Sequence, residues 1–417
     1  MANIIADLPP LRGFDDDFDP FAAEDVAYGT TRDIHTPLAA MREKGPIHEI
    51  DPLILLGWQA NPMFAGRRQF TVFRHDLVDE VSNDPFTFSV DANEGGMGET
   101  FGQSLSLLNP PDHGLIRRVF QKAFFPNVVA KWGENVISPV IHGLIDRFID
   151  RGEAEMVSEF THHYPFQIIF RQLDLPERDI ETFHKLAASL TQTYGDCLRY
   201  GQEASRKLGV YFRDMIEARR SHPGEDLVSY LVNCEVDGEY IPEEIMVSFL
   251  RQLLNAAGDT TFRATGTMLI GLLRNPDQLD AVRADRALVP NAVEEAIRWD
   301  GPSPLQYRAA TRDVTLGGID IPAGSILSLA LPACNRDPSL HRDPDKFDIF
   351  RKRSRHYGFS TGPHICLGQH LARLEMSQAL NAILDRLTDI RIDPDKPESW
   401  ISGIYFRTPH DVHVRFG

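Results

Sequence analysis

Residues 359–373 read FSTGPHICLGQHLAR, a single thiol at the mouth of an apolar-periodic helix, with Gly362 four residues before Cys366 and Gly368 two after it. A cysteine so placed meets the positive end of a helix dipole and free backbone N–H groups. Both favour thiolate, the form that binds metals and attacks electrophiles. Gly362 permits a tight turn, Gly368 a close approach of the helix to something flat, and Phe359 a shield between sulfur and water. A plainer role fits the same letters, because a lone Cys is more often a small buried hydrophobe and Gly-rich turns precede many helices.

A second constellation, AAGDTT at 256–261, puts small residues, an acid and two hydroxyls in the middle of a long apolar pattern. Gly258 costs a helix about 1 kcal/mol against Ala, and Asp and Thr compete for backbone hydrogen bonds. Taken alone, AAG suits a kink or a close helix contact as well as a site. A buried carboxylate is expensive and usually marks function, so Asp259 and Thr260 are candidates for proton delivery. A threonine hydroxyl bonded back to the carbonyl four residues earlier would open the helix into a groove. Ala256 and Ala257 would leave room there for a bulky planar group.

Other spacings are weaker alone. His113 and Arg117 lie one helical turn apart and can face one partner. Glu295 and Arg298, in EAIR, read as an ion pair. His162 and His163 lack a third ligand at useful spacing and stay structural, and the glycine run at 93–103, NEGGMGETFGQ, lacks the G-x-G-x-x-G nucleotide fingerprint.

The elements that must position these residues follow from pattern. The chain has 417 residues, 42% hydrophobic and 25% charged, the composition of a globular protein. A formal net charge of −17 argues against a general nucleic-acid binder or a basic membrane-surface protein. Its apolar runs are too short to span a membrane, and residues 1–20 read as a solvated, Pro-containing arm without a signal sequence. Cys197, Cys234, Cys334 and Cys366 form no CxxC pair, which favours a reducing cytoplasm.

Successive amphipathic helices are expected from about 112 to 300, a small sheet at 305–330, an irregular meander at 332–356 and a hairpin at 399–417. One helix should begin at Pro242 and run to Asn275, about 50 Å at 1.5 Å per residue, long enough to cross the molecule. No disordered linker divides the chain. The expectation is one mainly α domain with small β-sheets over 1–417.

Together, and in this order, the motifs resemble those of the cytochrome P-450 superfamily of haem-thiolate monooxygenases, the soluble bacterial kind, from about residue 20 to the C-terminus. The resemblance implies a triangular helical prism with haem b (iron protoporphyrin IX) between the long central helix and the helix after the Cys loop. It makes Cys366 the metal ligand, Asp259 and Thr260 the catalytic acid–alcohol pair, and Glu295 and Arg298 a structural ion network that Arg336 and the meander around Phe347 complete. His113, Arg117, Arg308, His356 and His364 become partners of the haem propionates, and Phe359 and Gly368 line the cofactor.

Hydroxylation of a lipophilic small molecule with O2 is then implied, a terpenoid, aromatic or steroid-like compound. Its pocket would draw on Phe101, Ala256, Ala257, Pro304, Leu305 and Ile404. No flavin or nicotinamide fingerprint occurs, so electrons should come from an iron-sulfur ferredoxin and its reductase. The ferredoxin would dock on Arg351, Lys352, Arg353, Arg355 and Arg373 with Arg118 and Lys122, unless these form only a solvated charge run. A monomer is expected. A peroxide-using relative would lack the acid–alcohol pair, and a non-catalytic haem or ligand-binding protein would need none.

Overall fold

The computed structural model describes residues 4–417. Its axis is the helix Glu243–Leu273, 31 residues and about 47 Å long. Pro242, expected in the first turn, sits just outside it with extended backbone, and Glu243 and Glu244 occupy the positive end instead. Nearly every residue from Met246 onward is buried. Thr260 Oγ1 donates to Ala256 O at 3.0 Å, as anticipated, yet the helix runs unbroken through this point.

The small residues of this helix serve close packing. A Cβ on Gly258 would lie 3.1 Å from the Phe166 ring, one on Gly266 2.3 Å from Pro409, and one on Gly271 2.5 Å from the Phe347 ring. Neighbouring side chains therefore reach the backbone itself, which explains three glycines in a helix that would otherwise prefer alanine.

The expected sheet forms, with partners far upstream. Leu305–Ala310 pairs antiparallel with Ile326–Ala330, which runs parallel to Gln69–Val72; Ile47–His48 and Phe88–Ser89 close the two edges. Between the first two strands, Val314–Leu316 and Ile319–Ile321 form a hairpin turning on Gly317 and Gly318, both at positive φ. At the C-terminal end, Trp400–Ser402 pairs with Thr408–His410 as expected. His413–Arg415 instead joins Arg391–Ile392 and Glu153–Glu155.

Residues 1–3 of the expected solvated arm lie outside the described residues. Residues 13–18 of the arm are laid along the helix Cys197–Ser221, while Leu8, Leu11 and Pro20 bond to Arg178, Asp179 and Gln192. The Phe18 ring stacks on Tyr200 at 3.6 Å, Tyr200 donates to Asp16 at 2.9 Å, and Lys207 pairs with Asp15 at 2.7 Å. The physical reason is aromatic area: Phe14 and Phe18 meet each other and Tyr200 edge-on or face-on, and leaving them in water would forfeit that burial.

Both ends of the chain converge beside the central helix. Ile404 N donates to Tyr28 O at 2.7 Å and Gly403 N to Thr31 O at 3.0 Å. Arg407 grips Asp300 through Nε and Nη2 at 2.9 and 3.0 Å and donates to the carbonyls of Thr31 and Arg32. Among the described residues no helix is long and apolar enough to cross a membrane.

Candidate functional site

The thiol loop is built by backbone bonds. Cys366 N donates to Phe359 O at 2.9 Å. Gly362 sits at φ +72°, where a Cβ would fall 2.4 Å from Ser82 O, so only glycine makes this turn. The helix Gln369–Arg386 starts immediately after Gly368. Burial raises the pKa of the Cys366 thiol, while the Gly368 and Gln369 N–H groups and the Arg117 and Arg373 guanidiniums pull it down. Arg373 lies over the Phe359 ring at 4.3 Å, so the aromatic shield is itself clamped. A Cβ on Gly368 would meet only open space, which leaves that side of the loop free for a flat group.

Beside the loop, the helix Asp112–Phe120 presents His113 and Arg117. The His113 and His364 rings lie 4.0 Å apart, and the Nε2 atoms of both are buried without a partner. Arg117 donates to Ile365 O at 2.6 Å, and Arg308 is buried, with Nη1 on Tyr307 O. Burial, then Arg117 and Arg308, lower the His113 pKa to about 4. Burial, then His113, Arg308 and Arg117, lower that of His364 to about 2. The charged neighbours of both imidazoles are all basic. An open cleft of about 560 Å³ lies here, lined by His113, Arg117, Gly362 and Pro363. Such a set of orphaned donors is built for acidic oxygens.

On the central helix, Ala256 is exposed and Gln252, Ala257 and Thr260 half-buried, in a stretch that is otherwise buried from Met246 onward. Asp259 is buried; its Oδ1 accepts from Arg263 at 2.8 Å and its Oδ2 has no partner. Arg263 also binds Glu24 at 2.8 Å and donates to Thr408 Oγ1. Leu305 keeps some exposure and Pro304 is buried. Phe101 and Ile404, expected to line a pocket, are 1% and 0% exposed and packed in apolar clusters, so both are core residues.

Residues 181–399 match the family model described as Cytochrome P450. The chain belongs to the cytochrome P450 family. It is similar to P450-terp of a Pseudomonas species, at 31% identity over 82% of each chain. The cyclomarin C epoxidase of Salinispora arenicola is 32% identical, over 87% of this chain and 90% of that one. The crystal structure of a myxobacterial cytochrome P450 in complex with myristic acid superposes with a TM-score of 0.82 at 29% identity, covering 95% of this chain and 99% of the other.

The family's cofactor is a haem held by a cysteine thiolate, and the residues of this P450 fit it. Two orphaned imidazole nitrogens and two guanidiniums suit the carboxylates of a porphyrin, and Cys366 stands beside them at a helix mouth with two N–H groups on its sulfur.

Two expectations need correction. His356 does not join the carboxylate-binding group. Its Nδ1 accepts from Gly358 N and its Nε2 donates to Glu294 Oε2 at 2.7 Å, so no ring nitrogen is left for a propionate. Glu294, which no spacing suggested, also takes Arg373 at 2.5 Å and so ties the Val289–Asp300 helix to both flanks of the thiol loop.

The ion network is also composed differently. Glu295 and Arg298 form a buried, two-pronged pair at 2.7 and 2.7 Å. Arg298 donates to the carbonyls of Asn335, Pro344 and Lys346, and Glu295 accepts from Asp348 N, so the meander is strung on this pair. The arginine that joins Glu295 is Arg351, at 3.4 Å; Arg336 binds Trp299 O instead. Arg263 could have been noticed from its position four residues after Asp259.

Proposed function

We propose that this P450 monooxygenase hydroxylates a lipophilic small molecule, using haem b as its cofactor and a ferredoxin as its electron donor. The observation that carries the reading is the pairing, in one molecule, of the Cys366 loop with its orphaned His113 and His364 nitrogens and a central helix bared at Ala256 and Thr260. Haem, when bound, supplies the centre at which O2 is reduced and C–H bonds are attacked. Cys366 would hold the iron, with the Gly368 and Gln369 N–H groups fixing the charge on sulfur. His113, His364, Arg117 and Arg308 would hold the propionates.

Asp259 and Thr260 would handle protons. The Thr260 hydrogen lies on Ala256 O, so its Oγ1 keeps lone pairs free to accept from a proton donor. Arg263 fixes Asp259 through Oδ1, which leaves Oδ2 to take up and release a proton. In assays with a ferredoxin, a ferredoxin reductase and panels of terpenoids, aromatics and steroids, Thr260→Ala should consume O2 with less product and Asp259→Asn should turn over more slowly. Unchanged coupling and rate in both variants would refute these roles. Cys366→Ala should abolish the thiolate-type absorption of the ferrous carbonyl complex.

The docking charges narrow. Arg351 is occupied by Glu295 and meander carbonyls, Arg355 by Asp79 and Arg373 by Glu294. Arg118, Lys122, Lys352 and Arg353 are exposed and have no acidic partner within 4 Å among the described residues, Arg353 donating only to Asn291 Oδ1, so these are the positions at which charge reversal should slow ferredoxin reduction.

A further inference from the structure

Among the described residues, the buried carboxylates of Asp179, Asp259, Glu295, Asp300, Asp337 and Asp393 each have a basic side chain within 4 Å. Glu375 and Asp51, equally buried, have none. For Glu375 the chain's answer is protonation, since burial pushes its carboxyl well above the usual range. Asp51 is placed differently. Its Oδ1 caps the short helix Pro52–Leu55 by accepting from Leu53 N at 2.9 Å, and its Oδ2 is buried without a partner.

Three tyrosines from distant segments gather around this carboxylate. Tyr307 stands on the strand Leu305–Ala310, Tyr405 in the turn between Trp400–Ser402 and Thr408–His410, and Tyr194 just ahead of the helix Cys197–Ser221. Burial raises the pKa of all three phenols and Asp51 raises each of them further, while no basic group among the described residues acts on any. Tyr194 donates to Ala60 O at 3.1 Å, but the hydroxyls of Tyr307 and Tyr405 are buried without a partner. The Tyr194 ring lies 5.6 Å from that of Tyr405 and 5.9 Å from that of Trp58. Tyr307, Tyr405 and Trp58 nevertheless keep part of their surface exposed, so each of these rings bounds open space.

We propose that this aromatic chamber binds an ammonium group, and that its ligand class is a lipophilic amine or quaternary ammonium compound. Every element of the chamber suits a cation. The carboxylate attracts it, the unpartnered phenol oxygens have lone pairs to offer, and the ring faces carry the negative side of their quadrupoles. An anion would be repelled by Asp51, and an uncharged group would leave that carboxylate uncompensated. The apolar part of the ligand also has a wall: Leu305 lies two residues before Tyr307, on the same face of the strand, and packs against the cluster that Trp58, Tyr405 and Ile404 share. The inference concerns binding only and stands apart from the hydroxylase reading.

The test is calorimetry at pH 7 on the haem-loaded protein with octyltrimethylammonium, whose nitrogen has no lone pair for the iron, and with octanol and octanoate as its uncharged and anionic counterparts. The ammonium compound should bind about tenfold or more tighter than octanol, and octanoate more weakly than either. Asp51→Asn keeps an oxygen to cap the helix and removes the charge; it should bring the ammonium compound to within about twofold of octanol while leaving octanol within about twofold of wild type. Tyr405→Leu should weaken the ammonium compound more than octanol. Binding of the ammonium compound by wild type no tighter than that of octanol would mean that the chamber holds only water, and overturns the proposal even if the variants do not fold. An ammonium preference that survives Asp51→Asn overturns it too, and so does an equal loss of both ligands in that variant.

Discussion

Glu294→Gln tests whether the thiol loop is held by a carboxylate outside the E-x-x-R pair. Burial raises the pKa of this carboxyl, but the donors on His356 and Arg373 outweigh burial and hold it at about 2, against an ordinary 4.5. That gap corresponds to about 3 kcal/mol at 1.36 kcal/mol per pKa unit. Because a quarter of the side chain is exposed, solvent screening reduces this to about 2 kcal/mol. With about 2.1 cal/mol/K of unfolding entropy per residue over 417 residues, Tm should fall by about 2 °C.

The folded-state value is depressed, so the stabilisation is complete above pH 4.5 and is lost as pH falls from there through about 2. Denaturant unfolding of the haem-loaded wild type and Glu294→Gln should thus differ by the same amount at pH 7 and pH 5. The thiolate-type carbonyl spectrum should weaken in the variant, because Arg373 and its grip on Phe359 lose their anchor. Equal stability of the two proteins would refute the argument. A difference that vanished between pH 7 and 6 would also refute it, by assigning the effect to an imidazole.

Arg298→Ala should cost about 3 to 5 kcal/mol, because it strands the buried Glu295, whereas Arg336→Ala, which removes bonds to a carbonyl and to the exposed Asp345, should cost far less; the yield of haem-loaded protein measures both. Gly271→Ala should destabilise by about 1 to 3 kcal/mol through collision with Phe347, while Gly143→Ala, with open space at its Cβ, should stabilise slightly; denaturant midpoints check the pair.

Local spacing carried the features that sequence reading could reach. Glu295 and Arg298 are three residues apart on a helix, and the Gly-x-x-x-Cys-x-Gly pattern is a contiguous turn, so each could be seen without a fold. Thr260 bonding back to Ala256 follows from the same local logic, although the groove it suggested does not break the helix. Long-range partners were invisible. Glu294 and His356 are 62 residues apart, so nothing in the string showed that the imidazole was already taken. Arg336 and Arg351 are both basic residues of one irregular meander, and only packing decides which of them reaches Glu295. The arm was misread as solvated because its acids mask two aromatic rings whose platform, Tyr200, is encoded far downstream.

The convergence of the chain ends has a consequence for synthesis. Arg263 needs Glu24 from the beginning of the chain and Thr408 from its end, and Asp300 waits for Arg407. A chain cut before Gly403 leaves Asp300 without Arg407 and the carbonyls of Thr31 and Tyr28 without the Gly403 and Ile404 N–H groups. The central charge balance is therefore completed only once Arg407 and Thr408 have been made, which makes loss of the 403–408 segment far more damaging than its distance in sequence from Cys366 suggests.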